Sequence, residues 1–150
     1  MKIIGHQFQL QYLLSQIQQK KLPHFFLFSG PEKVGKKTIA IFLSNTLLPN
    51  FSPSHPDFLM IKPEKDKISI DQIKQAIWFL SLKPSLGDYK IVIVDDAHLM
   101  TKDAQNCFLK TLEEPKGKTL IFLVSSLPSL LLSTIHSRAH KLKFTFVSKE

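Results

Sequence analysis

Arginine and cysteine are almost absent from this chain of 150 residues. Arg138 is the one arginine among 20 basic residues, and Cys107 is the one cysteine. A single cysteine excludes an internal disulfide and any zinc site built from several cysteines, so we expect no bound zinc. Cys107 falls on the apolar face of a predicted helix, and we expect it to lie in the core.

Long hydrophobic runs are also lacking. The sequence has no apolar segment of about 18 residues, the minimum that typically spans a membrane as a helix. The first residues, MKIIGHQFQLQ, are too polar for a signal peptide. The six histidines show no metal-ligand spacing. We therefore expect a cytoplasmic protein with no membrane partner, folded as one domain over residues 1–150.

The charge balance is strongly basic. The formal net charge is +8 and the isoelectric point is about 9.6. An anionic partner such as DNA or a nucleotide is compatible with this excess. A lysine-rich solvated surface explains it equally well, because the lysines are scattered along the sequence rather than run together.

Residues 25–38, FFLFSGPEKVGKKT, follow the pattern of a phosphate-binding loop. A short apolar strand leads into a loop bracketed by Gly30 and Gly35, and Lys36 then opens an apolar helix. In the motif G-x-x-x-x-G-K-[ST], backbone N–H groups and the helix dipole hold phosphate. The candidate nucleotide-binding residues of this loop are Gly30, Pro31, Glu32, Lys33, Val34, Gly35, Lys36, Lys37 and Thr38.

Lys37 departs from this motif at the position of the Mg²⁺ ligand. Serine or threonine belongs there, and an ammonium group has no lone pair to offer a metal. Thr38 comes one residue late, turned by roughly 100° around the helix. We expect a phosphate cradle without its metal ligand. The alternative is a strand–turn–helix that is glycine-rich by chance.

Strand and helix patterns alternate along the whole chain. All-apolar strands are typical of a parallel sheet covered on both faces, so we predict a three-layer α/β fold with a five-stranded parallel sheet. The predicted strands are residues 25–28, 57–61, 90–96, 119–124 and 141–147. The predicted helices cover residues 3–20, 36–47, a segment after the capping box of Ser69 and Gln72, 101–114 and 128–136.

Two of these helices carry apolar residues that we expect to pack against the sheet. In the first helix they are Ile4, Phe8, Leu10, Leu14 and Ile17, which fall roughly on one helical face. In the helix after Ser69, Ile70, Ile73, Ile77 and Leu80 form an apolar stripe on one face. Trp78 lies beside this stripe, and we expect it to pack rather than to stack on a ligand.

Polar residues follow the predicted strands at 90–96 and 119–124. Ligands of open α/β sheets bind at the carboxyl ends of strands. In P-loop NTPases an acid at this place holds Mg²⁺, so Asp95 is the candidate Mg²⁺ ligand. Asp96 lies at the position where those proteins usually have a glutamate that polarises the water attacking the nucleotide. The alternative is that both acids cap the next helix. Ser125 and Ser126 follow the other strand.

Seven segments together resemble the AAA+ domain of bacterial replicative clamp-loader subunits, and among these the delta-prime subunits of DNA polymerase III. They are IGHQ (4–7), FSGPEKVGKKT (28–38), HPDF (55–58), ISIDQI (68–73), YKIVIVDDAHLMT (89–101), NCFLKTLEEP (106–115) and IHSRA (135–139). The LKTLEEP run and the Ser-Arg pair are the most specific. The resemblance covers nearly all of this chain and the first of the three domains of that family.

The resemblance implies a role for each matching position. Ile4 and Gly5 would lie near the adenine, and Ser126, or Ser125, would be the sensor after the fourth strand. Asp95 and Asp96 would be the acidic pair that follows the third strand. Arg138 would be an arginine finger that reaches the γ-phosphate held by a neighbouring subunit. A surface salt bridge is the alternative for Arg138.

The implied function is that of an accessory subunit that assists ATP-dependent loading of the sliding clamp onto primed DNA. Its partners would be motor subunits of the gamma or tau type and a subunit of the delta type. ATP and Mg²⁺ would bind weakly, with little or no intrinsic ATPase activity. The alternatives are an independent AAA+ ATPase of DNA replication or repair and a DNA-binding module.

The sequence departs from the family at further points. Ala139 replaces the cysteine that usually follows the Ser-Arg pair, and the zinc-binding cysteines after the P-loop helix are missing. The lid and collar domains of the family are not represented in these 150 residues.

Overall fold

The computed structural model describes residues 6–145 of the chain. Strands β1 to β5 span Phe25–Ser29, Phe58–Ile61, Lys90–Val94, Thr119–Ser125 and His140–Lys143. Helices α1 to α5 span Gln7–Gln18, Lys36–Leu47, Ile70–Ser81, Lys102–Glu113 and Ser133–His136. Two short 3₁₀ helices cover Ala97–Leu99 and Pro128–Leu130.

The five strands form one sheet in the order β2-β3-β4-β1-β5. Every pair of neighbouring strands is parallel. The order places β4 between β1 and β3, so the carboxyl ends of these three strands lie side by side. The predicted five-stranded parallel sheet is confirmed.

Helices cover the sheet on both faces, and the strand residues alternate between two apolar cores. On one face, Phe25, Leu27, Val92 and Val94 pack with residues of α3 and α4. On the other face, Phe26, Phe28, Ile91 and Ile93 pack with residues of α1 and α2. Because both faces are buried, β1, β3 and β4 are apolar at nearly every position. The three-layer arrangement is confirmed.

The capping box predicted at the start of α3 is present. The Ser69 hydroxyl accepts a hydrogen bond from the Gln72 backbone N–H (3.2 Å), and the Gln72 side chain accepts one from the Ser69 N–H (3.0 Å). Gln72 also donates to the Lys62 carbonyl (2.7 Å), which ties the helix start to the end of β2.

The predicted buried faces of the helices are partly wrong. In α1 the fully buried residue is Leu13, whereas Phe8 is 80% exposed and Leu14 is 36% exposed. Trp78 is 66% exposed, and Cys107 is half-buried rather than in the core. In α3 and α4 the side chains that pack on the sheet are the neighbours of these residues, such as Ala76 and Phe108.

The segment 128–136 is not the single short helix that we predicted. A 3₁₀ turn ends at Leu130, and Leu131 and Leu132 are extended, with ψ of 145° and 146°, before α5 begins. The side chain of Gln105 imposes this break, since its Oε1 accepts a hydrogen bond from the Leu132 N–H (2.8 Å). Its Nε2 donates to the Leu130 carbonyl (3.4 Å). A tertiary contact therefore overrides the local helical pattern.

The strand boundaries also differ from the predictions, by one residue at the end of β1 and at the start of β2. β3 ends at Val94, so Asp95 and Asp96 lie in the turn that follows it. β4 continues to Ser125. β5 begins at His140 and pairs with β1 as an edge strand, while the last predicted positions of this strand lie outside the described residues. Within residues 6–145, no helix has the length and apolar composition needed to cross a membrane.

Candidate functional site

A cleft opens where the carboxyl ends of β1, β3 and β4 meet. Its volume is about 370 Å³, within the usual range of small-molecule sites. Residues from the loop after β1, from the start of α2 and from the ends of β3 and β4 line it. They are Glu32, Lys33, Gly35, Lys36, Lys37, Thr38, Asp95, Asp96, Val124 and Ser126. The sheet therefore brings together most of the residues that the sequence singled out.

Gly30 is required by close backbone packing at the start of the loop. Its φ is +147°, and a Cβ at this position would lie 2.2 Å from the backbone oxygen of Phe144. Phe144 is held there because its N–H donates to the Ser29 carbonyl (2.7 Å). Gly35, with φ of +99°, is the N-cap residue that directly precedes α2. Both glycines of the motif thus have conformations that favour glycine.

Lys36 turns back onto its own loop. Its side chain is buried, and Nζ donates to the backbone oxygens of Gly30 (2.6 Å) and Pro31. Burial lowers the pKa of the Lys36 ammonium, and the charges of Asp96, Glu32 and Asp95 oppose that shift. The ammonium therefore lies against the first residues of the loop that the motif uses to hold phosphate.

Lys37 lies at the opening of the cleft, against Asp95, the first acidic residue after β3. Its Nζ is 3.3 Å from Asp95 Oδ2, and the two side chains are 45% and 19% exposed. Asp95 Oδ1 accepts a hydrogen bond from the Asp96 N–H (3.1 Å). Both oxygens of the candidate metal ligand therefore have partners from this chain.

The Mg²⁺ site of the motif does not fit these residues. An ammonium group occupies the position of the metal-binding hydroxyl and is directed at the carboxylate that would share the ion. Thr38 also lines the cleft, but it lies one residue after the hydroxyl position of the motif, which Lys37 occupies. Among residues 6–145, no group of three or more His, Cys, Asp or Glu side chains is arranged to hold a metal ion.

Asp96 adopts a left-handed conformation, with φ of 50° and ψ of 49°. Such a conformation is uncommon for a residue other than glycine, and it turns Asp96 into the cleft. In the described structure its side chain does not cap the 3₁₀ helix that follows. The capping alternative is therefore not observed for this residue.

The two serines after β4 have different environments. Ser125 is fully buried, with its hydroxyl 2.9 Å from His98 Nδ1 and accepting a hydrogen bond from the Leu127 N–H (3.1 Å). Ser126 lines the cleft. The structure thus favours Ser126 over Ser125 as the group that faces a ligand.

Arg138 lies away from the cleft, between the end of α5 and β5. Its guanidinium forms an ion pair with Glu113, the last residue of α4, and donates to the Thr134 carbonyl (2.6 Å). The Arg138 side chain is 31% exposed. Its Nε is buried and has no hydrogen-bond partner among the described residues.

Three residues that the sequence did not single out support these groups. The His6 ring contacts the Val34 carbonyl within the loop, His98 holds Ser125, and Glu113 holds Arg138. Each joins segments far apart in the sequence. The available signal was that all three lie in segments of the resemblance, IGHQ (4–7), YKIVIVDDAHLMT (89–101) and NCFLKTLEEP (106–115). Ile4 and Gly5, predicted near the adenine, lie outside the described residues.

The order of the strands, the glycine-bracketed loop and the paired acids define a P-loop protein of the AAA+ class. Solved structures of low identity share this fold. The RuvB Holliday junction branch migration motor of Thermotoga maritima is 18% identical, covers 95% of this chain and 45% of its own, and gives a TM-score of 0.66. The clamp loader delta protein of Bacillus subtilis is 13% identical, covers 91% of this chain and 42% of its own, and gives a TM-score of 0.68.

This chain belongs to the family described as DNA polymerase III, delta subunit, which matches residues 5–148. It is similar to the DNA polymerase III subunit delta' of Pseudomonas aeruginosa, with 33% identity over 134 residues that cover 77% of this chain and 41% of the relative. A DNA polymerase III gamma subunit-related protein of Thermotoga maritima has 33% identity and a TM-score of 0.76, covering 95% of this chain and 46% of that one. The chain thus corresponds to a delta-prime-like N-terminal domain and spans less than half the length of these relatives.

Proposed function

We propose that this chain acts as a delta-prime-like subunit that assists loading of the sliding clamp onto primed DNA. Motor subunits of the gamma or tau type would hydrolyse ATP, and a subunit of the delta type would complete the assembly. Membership of the DNA polymerase III delta subunit family supports this assignment. The further similarity to a DNA polymerase III subunit tau, with 26% identity across 99% of this chain, is in keeping with it.

In this proposal the cleft of this chain contributes little or no ATP hydrolysis. The observation that carries it is the contact between Lys37 Nζ and Asp95 Oδ2 at 3.3 Å. Hydrolysis in P-loop proteins relies on a metal ion that neutralises charge on the β- and γ-phosphates. Lys37 replaces the hydroxyl that would be one metal ligand. Its ammonium also contacts Asp95, which would be another ligand, so the metal has no complete site.

Arg138 is proposed to act on the site of a neighbouring motor subunit. Its position outside the cleft, its partial exposure and its planar, permanently charged fork suit a contact with a phosphate bound elsewhere. Arginine fingers supplied in trans typically raise the rate of hydrolysis by about 10³-fold or more. The ion pair with Glu113 would hold the guanidinium at the surface until the neighbouring subunit docks.

The test is a clamp-loading assay with purified motor subunits, a delta-type subunit, sliding clamp and primed DNA. Adding this chain should raise the rate at which the sliding clamp is loaded onto the primed DNA. The Arg138→Ala variant should fold and join the complex but fail to raise the rate, and Arg138→Lys should restore little of it. Equal stimulation by the wild type and Arg138→Ala would refute the role assigned to Arg138.

An independent ATPase remains the second candidate, because the loop geometry that would hold phosphate is preserved at Gly30, Gly35 and Lys36. Asp96 and Ser126 also line the cleft. This alternative predicts that the isolated chain hydrolyses ATP with Mg²⁺ and without partner subunits. The accessory role predicts no turnover above the background of a Lys36→Met variant.

A further inference from the structure

The charges of the cleft are already balanced before any ligand enters. Three basic side chains line it (Lys33, Lys36 and Lys37), and three acidic side chains face them (Glu32, Asp95 and Asp96). In the usual P-loop motif the residue at position 37 is neutral and a divalent cation supplies the remaining positive charge. Here a cation is attached to the chain at that position.

The position of Lys37 makes it a substitute for the metal rather than a simple loss of a ligand. Its Nζ lies 3.3 Å from Asp95 Oδ2, so the ammonium lies against the carboxylate that would otherwise be a ligand of the metal. The side chain is 45% exposed and can turn toward a ligand without the loss of a buried contact. Lys36, by contrast, is buried within the loop.

We propose that this site binds the phosphates of a nucleoside di- or triphosphate free of Mg²⁺, with the Lys37 ammonium in the role of the metal, and that Mg²⁺ weakens the binding. The inference rests on the part of the proposed function that assigns this cleft to nucleotide phosphates. A metal-complexed nucleotide carries less negative charge and would bring a second cation against Lys37.

Weaker binding of Mg²⁺-complexed nucleotide would affect the role of the subunit. In a solution with excess Mg²⁺, most ATP carries the ion, so the cleft of this chain would discriminate against the nucleotide that the motor subunits use. The subunit would then stay outside the hydrolytic cycle while its Arg138 remains available to a neighbour.

Calorimetric titration of ATP, ADP and inorganic triphosphate into the isolated full chain tests this inference. The wild type should bind ATP at least about tenfold more tightly in EDTA than in excess Mg²⁺, a difference of about 1.4 kcal/mol. Inorganic triphosphate should show the same preference, because the effect arises at the phosphates. Equal affinity in both conditions, tighter binding with Mg²⁺, or no binding in either condition would overturn the inference.

Variants of Lys37 sharpen the test. Lys37→Thr recreates the hydroxyl of the motif and should reverse the preference, so that ATP binds more tightly with Mg²⁺. Lys37→Met removes the charge without adding a ligand and should lose the binding seen in EDTA. Lys21→Thr is the matched control, since this exposed lysine precedes the amino end of β1, opposite the cleft, and it should behave like the wild type.

The outcome is separable from that of the clamp-loading assay. Reversal of the metal preference by Lys37→Thr would support the inference even if Arg138→Ala left clamp loading unchanged. A clamp-loading defect of Arg138→Ala with a metal preference that Lys37→Thr does not alter would support the proposed function and refute the inference.

Discussion

The guanidinium of Arg138 and the carboxylate of Glu113 form an ion pair that joins the end of α4 to the segment before β5. The two side chains are 31% and 39% exposed. Ion pairs with this degree of exposure contribute roughly 0–1 kcal/mol, because water screens them. The pair is therefore weak enough to position Arg138 and still release it, as the proposed function requires.

Glu113→Gln tests whether this pair restrains the finger. Under the proposed function the pair breaks before Arg138 reaches a phosphate, so the variant should raise the ATPase rate of the partner complex, by no more than about fivefold. The unfolding midpoint should hardly change. Glu114→Gln is the control, since this neighbouring acid is also exposed. A fall in partner ATPase with Glu113→Gln alone would show that Glu113 orients Arg138 productively instead.

The environment of Asp57 predicts that part of the free energy of unfolding is lost at acidic pH. Its carboxylate accepts hydrogen bonds from the backbone N–H groups of Ser85 (2.6 Å), Leu86 (2.8 Å) and Gly87 (3.0 Å), and Lys90 Nζ is 3.5 Å away. Burial alone would raise the pKa of Asp57, but these hydrogen bonds and the Lys90 charge outweigh it and lower the pKa to about 2. The folded protein thus favours the ionised carboxylate.

The sign of the pH dependence follows from this lowered pKa. The stabilisation by Asp57, about 2 kcal/mol, is fully present above the ordinary pKa of 3.8 and is lost as the pH falls toward about 2. Urea denaturation of the wild type and of Asp57→Asn at a series of pH values measures it. The free-energy difference between the two proteins should be constant from neutral pH to about pH 5 and shrink below pH 4. A difference that stays constant down to pH 2 would contradict the assignment.

Gly30→Ala should be much more damaging than the same change at Gly117. A Cβ at Gly30 would lie 2.2 Å from the Phe144 oxygen, whereas at Gly117, with φ of +63°, nothing lies within 4 Å. We expect a loss of about 2–3 kcal/mol for Gly30→Ala, from steric overlap, and about 1 kcal/mol for Gly117→Ala, from backbone strain. Chemical denaturation of both variants checks the comparison, and equal losses would contradict it.

The layer structure and most of the cleft were predictable from the sequence because they depend on local patterns. Apolar strands such as β3 predict a sheet buried on both faces. Glycine spacing and strand-end acids predict the phosphate loop and its opposing side. The capping box at Ser69 predicts the start of α3. Each of these signals lies within a few consecutive residues, because local backbone geometry determines whether that segment forms a strand, a loop or the start of a helix.

Features that depend on distant residues were not predictable. Gln105 breaks the helix expected around Leu131. A surface salt bridge was the alternative considered for Arg138 and is present, but the sequence did not identify Glu113, on another helix, as its partner. The apolar residues of α1 occur around much of its circumference rather than on the single face that we predicted, so periodicity did not identify Leu13 as the buried one. Lysines that are scattered in the sequence also meet in space, since Lys83, Lys116 and Lys118 line one groove at the amino ends of β3 and β4.

The ATPase rate of the reconstituted complex tests the central claim most directly, with two variants of this chain compared side by side. Arg138→Ala should lower the rate at the neighbouring motor site by about 10³-fold, while Lys36→Met, which disables the cleft of this chain, should leave the rate unchanged. The opposite pattern, a large loss with Lys36→Met and none with Arg138→Ala, would show that this chain is itself a working ATPase and would contradict the account.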